Sequence, residues 1–183
     1  MGQFCGLDAA KSARCWESIS GSVVPGAEGP FSQLAAADHV CGLGVDGALT
    51  CWGNITYGAT SPPAGSFASL VSSHVHSCAL DEDGQAVCWG QLYFDEESPE
   101  LLVAPDETFT TLVTGTAHMC GLTPSGRAVC WGYGTPELSN GELPNVGQSS
   151  PPEGSFVELA AGYWHTCGLT DDGTVACWGD SGS

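Results

Sequence analysis

Ten cysteines hold most of the chemistry available to this chain. Cys5, Cys15, Cys41, Cys51, Cys78, Cys88, Cys120, Cys130, Cys167 and Cys177 fall into five consecutive pairs, with the same spacing inside every pair. Thiolates bind zinc, but zinc sites set paired cysteines only about two to four residues apart. These pairs have nine residues between their members. An even count at one fixed spacing reads as a disulfide framework, bridged pair by pair along the chain. Disulfides persist in oxidising compartments, so the expected location is extracellular, secreted or on a cell surface.

Histidine is the next candidate for chemistry. His39, His76, His118 and His165 each stand two residues before the first cysteine of a pair, and Gln3 takes that place in the first pair. On a strand, residues at i, i+2 and i+4 share one face, so His, Cys and Leu line up together. A ring of such histidines imitates a metal site, but a repeated position puts each one in its own unit, so the reading is structural. His74 is off-pattern and expected to be exposed. Trp16, Trp52, Trp89, Trp131 and Trp178 follow the second cysteine of each pair. They are read as packing between units rather than a sugar platform. Trp164 breaks the pattern and is the Trp assigned to a surface role.

The remaining motifs are weaker. Asp81-Glu-Asp-Gly84 and Asp171-Asp-Gly173 resemble pieces of a calcium loop, but the full twelve-residue signature with its closing Glu is missing. They are read as turns. Gly179-Asp-Ser-Gly182 imitates a serine-protease motif without a His and Asp framework to make a triad. The expectation is no catalytic residue, no metal and no cofactor. Asn54-Ile55-Thr56 is an N-glycosylation sequon in a loop, which makes Asn54 a candidate modification site.

The elements that position these residues follow from the spacing. If Cys167 faces Cys177 across a hairpin, then 168 faces 176, 169 faces 175 and 170 faces 174. Asp171, Asp172 and Gly173 form the turn. A three-residue hairpin loop wants its last residue in the left-handed region, where Gly costs least. Gly47, Gly84, Gly126 and Gly173 occupy that place, whereas the first hairpin has Lys11 and is expected to be strained or differently turned. Ahead of each hairpin except the first stands a Phe-x-x-Leu segment, beginning at Phe31, Phe67, Phe109 and Phe156. Four full repeats and a partial N-terminal one result, with units at about 1–30, 31–66, 67–108, 109–155 and 156–183 in a single repeat domain. The connections hold the Pro and Gly and read as turns or loops with room for a short outer strand. The long ones, 91–108 and 133–155, hold the off-pattern aromatics Tyr93, Phe94 and Tyr133 and the acids Glu96, Glu97 and Glu137. Variable loops on a repeat scaffold are where recognition sits, so Tyr93, Phe94, Tyr133 and Trp164 are the candidate binding residues.

The run Gly162-Tyr-Trp-His-Thr-Cys-Gly-Leu-Thr-Asp-Asp-Gly-Thr-Val-Ala-Cys-Trp-Gly179 resembles the regulator of chromosome condensation repeat. Related copies cover nearly the whole chain. The resemblance implies an all-β fold, a β-propeller of about five small blades, each hairpin pinned by a disulfide. The paired cysteines look like a secreted branch of that family. The family's propellers carry more and longer blades than the units here, and the first unit lacks its Phe-x-x-Leu strand. That leaves an edge to be covered by residues 1–7 packing on the last blade or by a strand lent from another chain.

Charge narrows the function. Twenty-one acidic residues face three basic ones, Lys11, Arg14 and Arg127, for a net charge of −18. Phosphate backbones need Lys and Arg to displace counterions, so nucleic acid is excluded as a partner. The same balance argues against the chromatin-bound exchange-factor role in the family. A light-sensing role needs Arg around clustered Trp, and those Arg are missing. No stretch of 18 or more apolar residues is present, so no membrane insertion by a helix is expected. The start, Met1 to Cys5, lacks a basic and an apolar leader region, and a secretory leader is expected to have been removed ahead of it. The reading is an extracellular, non-enzymatic module that binds a protein or a glycan through its loops. The alternative is a structural subunit of an extracellular filament or surface assembly. There the incomplete first blade meets a copy of the same chain head to tail.

Overall fold

Glycine, proline and short apolar alternation leave little to support a helix, and the computed structural model is built almost wholly of strands. It describes residues 3–17, 20–92, 102–136 and 145–180. Among these, fifteen strands form five three-stranded sheets. Sheet one holds β1 (Gln3–Leu7), β2 (Ala13–Glu17) and β3 (Val23–Val24). Sheet two holds β4 (Phe31–Ala36), β5 (His39–Gly44) and β6 (Leu49–Gly53), and sheet three β7 (Phe67–Ser72), β8 (His76–Asp81) and β9 (Ala86–Gly90). Sheet four holds β10 (Thr111–Thr114), β11 (His118–Leu122) and β12 (Ala128–Gly132), and sheet five β13 (Glu158–Ala161), β14 (His165–Leu169) and β15 (Val175–Gly179). In every sheet the strands lie side by side in chain order. A short 3-10 turn spans Thr56–Gly58.

The hairpin register is the one the cysteine spacing requires. Cys167 faces Cys177, Gly168 faces Ala176 and Leu169 faces Val175. Thr170 and Thr174 close the turn, with the Thr170 amide donating to the Thr174 carbonyl at 2.9 Å. Gly173 takes φ 86°, and Gly47, Gly84 and Gly126 lie between 79° and 83°. Lys11 is forced into the same left-handed region at φ 59°. Sheet one departs from the expected bare hairpin. A third strand, Val23–Val24, pairs on the far side of β2, with Trp16 opposite Val23. It uses the connection after the hairpin, where no Phe-x-x-Leu segment precedes it.

Contacts gather the chain into two compact units, Met1–Glu82 with Val87–Gln91, and Asp83–Ala86 with Leu92–Ser183. The same packing rule builds each. Alternation gives every sheet a cysteine face, with His, Cys and Leu, and a tryptophan face, with Phe, Trp and the residue after His. In the first unit Ala13 and Cys15 of sheet one cluster with Phe31, Leu34 and Trp52 of sheet two. Cys41 and Leu43 of sheet two cluster with Phe67, Leu70, Ala79 and Trp89 of sheet three. In the second unit Cys120, Leu122 and Ala128 cluster with Phe156, Leu159 and Trp178. Each buried Phe is worth about 2 kcal/mol by burial alone.

The Phe rings also explain the Cys-Gly-Leu triplets. A Cβ on Gly42 would lie 2.6 Å from Phe31, one on Gly121 2.2 Å from Phe109, and one on Gly168 2.4 Å from Phe156. The ring lies flat across the strand where a side chain would stand, and it packs against the Trp. Ring centroids are 5.8 Å apart for Phe31–Trp52, 5.6 Å for Phe109–Trp131 and 5.8 Å for Phe156–Trp178.

Lys11→Gly relieves the one left-handed, non-glycine residue in the series of hairpin turns. It should raise stability by up to about 1 kcal/mol, read as a higher urea midpoint with unchanged slope. Gly126→Ala should do the opposite by at least as much, because its Cβ would meet Ser155 Oγ at 2.2 Å.

Candidate functional site

The cysteines form five bridges, Cys5–Cys15, Cys41–Cys51, Cys78–Cys88, Cys120–Cys130 and Cys167–Cys177, each inside one hairpin. Cys15, Cys41, Cys78 and Cys120 are fully buried. They are structural, and none presents a thiolate for catalysis.

His39, His76 and His118 are also fully buried, at 0% exposure. Two of them link neighbouring sheets. His39 Nε2 lies 2.6 Å from Ser77 Oγ of sheet three, and His118 Nε2 lies 2.8 Å from Thr166 Oγ1 of sheet five. Which atom donates depends on the tautomer. The partner is the residue just after the histidine of the next sheet. Burial pushes the His118 imidazole down to about 4, and the charge of His165 adds to the effect. Burial also lowers His39, against a hydrogen bond to the His74 backbone and the charge of Asp38. Among the described residues, no group of three His, Cys, Asp or Glu side chains is placed to hold a metal ion. His165 is the exposed member of the set, and His74 is half-buried rather than exposed. His74 stands in the sharp bend just before β8, beside buried Ser73 and Val75.

The indoles are packing groups as well. Trp89 Nε1 donates to the Ala59 carbonyl at 2.9 Å, and Trp178 Nε1 to the Gln148 carbonyl at 2.9 Å. In both cases the connection between two sheets folds back to accept the bond. The acidic turns are held by their own side chains. Asp172 Oδ1 accepts from Thr170 Oγ1 at 2.5 Å and from the Thr174 amide at 2.9 Å, which keeps its carboxyl below the usual range.

The candidate recognition residues divide. Tyr93 and Phe94 lie outside the described residues, as do Glu96, Glu97 and Glu137. Tyr133 is buried, at 9% exposure, which removes it from the surface. The reason is that it continues the Trp-Gly end of β12. Its amide donates to the Ala117 carbonyl at 2.9 Å, and its carbonyl accepts from Ser149 Oγ at 2.7 Å. Trp164 is half-buried and packs edge-on against Tyr163, with centroids 6.5 Å apart. Tyr163, which the repeat pattern did not single out, is 57% exposed. Its position beside an off-pattern Trp was the available signal. The pair sits in the short loop between β13 and β14, pinned by three backbone bonds. The Gly162 amide reaches the His165 carbonyl at 2.8 Å, the Asp180 amide reaches the Trp164 carbonyl at 2.8 Å, and the Thr116 amide reaches the Tyr163 carbonyl at 3.2 Å. Tyr163 and Trp164 thus form an aromatic patch on a fixed backbone, followed along the chain by exposed His165. Asn54 is exposed, next to Ile55 at 80% and Tyr57 at 48% exposure.

The sheets, their mating faces and their within-hairpin bridges define an all-β protein of the β-propeller class. Its last repeat is similar to the regulator of chromosome condensation type. Residues 156–183 match the family model described as Regulator of chromosome condensation (RCC1) repeat. Three solved structures are similar. The CRINKLY WD40 ectodomain of the Arabidopsis thaliana receptor kinase ACR4 is 24% identical with TM-score 0.72, over 97% of this chain and 60% of that one. The ectodomain of the Physcomitrella patens receptor kinase CR4 is 25% identical with TM-score 0.70, over 98% of this chain and 48% of that one. Yeast RCC1 (Prp20), solved with Kap60, is 18% identical with TM-score 0.71, over 97% of this chain and 54% of that one. The chain therefore spans about half the length of these structures. No curated protein matches it. The five disulfides point to an oxidising, extracellular setting.

Thr166→Val should cost about 1–3 kcal/mol, because it leaves His118 Nε2 buried without its hydroxyl. Because the folded state holds His118 near 4, its neutral form is the stabilising one. Its contribution is complete above the unfolded value near 6.5 and is lost as pH falls from there toward 4. Melting temperatures measured across that window should drop less steeply in His118→Gln than in the wild type.

Proposed function

We propose that this chain is an extracellular, non-enzymatic recognition module that binds a protein or glycan partner through loops held at the ends of its sheets. The observation that carries the reading is the Tyr163–Trp164 patch. An aromatic pair with one ring 57% exposed costs little ordering entropy on binding when its backbone is already fixed. Disulfides in every hairpin keep the scaffold rigid beneath it. The receptor-kinase ectodomains support the setting, and yeast RCC1 (Prp20), a protein of similar fold, is solved bound to Kap60, which supports a protein partner. The net charge of −18 favours a partner with a basic or neutral contact surface. Tyr93 and Phe94 belong to the same reading, as does a glycan on Asn54 that would sit apart from the patch in sequence.

Binding of the wild-type protein and of the Tyr163→Ala/Trp164→Ala variant should be compared on an immobilised panel of glycans and secreted proteins. The variant should keep its melting temperature and lose roughly tenfold or more in affinity for whatever the wild type retains. Equal retention by both proteins would remove the patch from the proposal.

A further inference from the structure

Two connections in this chain repeat almost letter for letter. Ser61-Pro-Pro-Ala-Gly-Ser-Phe67 leads into sheet three, and Ser150-Pro-Pro-Glu-Gly-Ser-Phe156 leads into sheet five. Each crosses the hairpin turn of the sheet before it in the same way. Gly65 and Gly154 take φ 154° and 150°, and the turn residues Gly47 and Gly126 take 82° and 83°. The Phe67 amide donates to the Gly47 carbonyl at 2.9 Å, and the Phe156 amide to the Gly126 carbonyl at 2.7 Å. The backbones match, but the side chains do not. Where the first crossing has Asp46, Ala48 and Ala64, the second has Ser125, Arg127 and Glu153.

An open cleft of about 480 Å³ lies at the second crossing, inside the second compact unit. The hairpin contributes Ser125, Arg127 and Ala128 to it, and the connection contributes Pro151, Pro152, Glu153 and Gly154. Small-molecule sites run from about 300 to 1,000 Å³, so the cleft has the size of a binding site. Its walls are fixed before any ligand arrives. Ser155 Oγ donates to the Ser125 carbonyl at 3.3 Å, and the Arg127 amide donates to Thr123 Oγ1 at 3.1 Å. The Cys120–Cys130 bridge pins the hairpin beneath, and each proline ring holds its own φ. Little ordering entropy is left to lose on binding.

We propose that this cleft is a saccharide site, which takes a neutral sugar residue of a glycan. Arg127 is the single Lys or Arg in residues 83–183. Its Nη2 donates to Glu107 Oε1 at 2.8 Å, and both side chains stay accessible. A guanidinium set beside Glu107 and Glu153 suits neither kind of ion. The carboxylates repel an anion, and the guanidinium repels a cation. A neutral ligand that both donates and accepts hydrogen bonds meets neither penalty, and sugar hydroxyls do both. Arg127 supplies donors, Glu153 supplies acceptors and the Ser125 hydroxyl supplies either. Pro151, Pro152 and buried Ala128 offer apolar surface to the C–H side of a sugar ring. Ala48 and Ala64 leave the first crossing without the guanidinium and without the facing carboxylate. The inference rests on the recognition reading above for its setting, yet it uses no residue of the Tyr163–Trp164 patch.

The probes are methyl β-galactoside, methyl β-glucoside, methyl α-mannoside and N-acetylglucosamine, each titrated into the whole protein while amide chemical shifts are followed by NMR. At least one sugar should saturate, with the shifts centred on Arg127, Ala128, Glu153 and Gly154. The double variant Arg127→Ala/Glu153→Ala copies the first crossing, so its melting temperature should hold. Its affinity for that sugar should fall roughly tenfold or more. Glu153→Gln keeps a carbonyl acceptor and should lose less than Glu153→Ala. The uronic acid counterpart of the bound sugar should bind more weakly than the neutral form. Tyr163→Ala/Trp164→Ala should bind the sugar as the wild type does, so failure of the patch and failure of the cleft are read separately. The inference fails if none of the sugars saturates, if the double variant binds unchanged, or if the uronic acid binds more tightly. It also fails if the loss of binding follows Tyr163 and Trp164 instead of Arg127 and Glu153.

Discussion

Successive sheets are tied together by one backbone bond. The carbonyl of the left-handed turn residue in one hairpin accepts from the amide of the Phe that opens the next sheet. Lys11 to Phe31 is 2.9 Å, Gly47 to Phe67 2.9 Å, Gly84 to Phe109 2.8 Å and Gly126 to Phe156 2.7 Å. The bond exists only if the turn residue adopts positive φ, because only then does its carbonyl point out of the hairpin. In sheets two, four and five the Phe ring lies over the glycine, and between sheets one and two, two and three, and four and five the Phe and Trp cover the cysteine face of the sheet before. Lys11 shows how strongly the constraint acts. A residue with a long side chain accepts left-handed backbone so that its carbonyl keeps the position.

On top of this shared geometry lies a subtler alternation. Sheets three and five present a hydroxyl just after the histidine, Ser77 and Thr166, and receive His39 and His118. Their Trp residues donate to a returning loop. Sheets two and four present Val40 and Met119 at the hydroxyl position. Among the described residues, Trp52 and Trp131 Nε1 find no acceptor. A buried N–H without a partner costs about 1–3 kcal/mol, so sheets two and four contribute less polar satisfaction than sheets three and five.

Much of the fold was legible because its determinants are local. The cysteine spacing sets the hairpin register, and the turn glycines set its conformation. Both are read within about a dozen residues, which is where sequence patterns are strongest. The third strand of sheet one was legible only as room for a short outer strand in the connection, because Val23-Val24 is a pair of residues with no alternation to read. Tyr133 was misplaced for a different reason. An aromatic one residue past Trp-Gly looks like loop decoration, yet the positive φ of Gly132 turns the chain back onto Ala117. The patch at Tyr163 is a matter of exposure, which depends on neighbours far away in sequence, so only the adjacent Trp164 hinted at it.

The covalent bridges have a mechanical consequence. Each closes a loop with a separation of ten residues inside a single hairpin, and none joins one sheet to another. A chain pulled from its ends would part sheet from sheet while every hairpin withheld its own length from extension. Five such reserves are released only when their sulfurs are reduced, so contour length under tension is set by the redox state of the surroundings as well as by force.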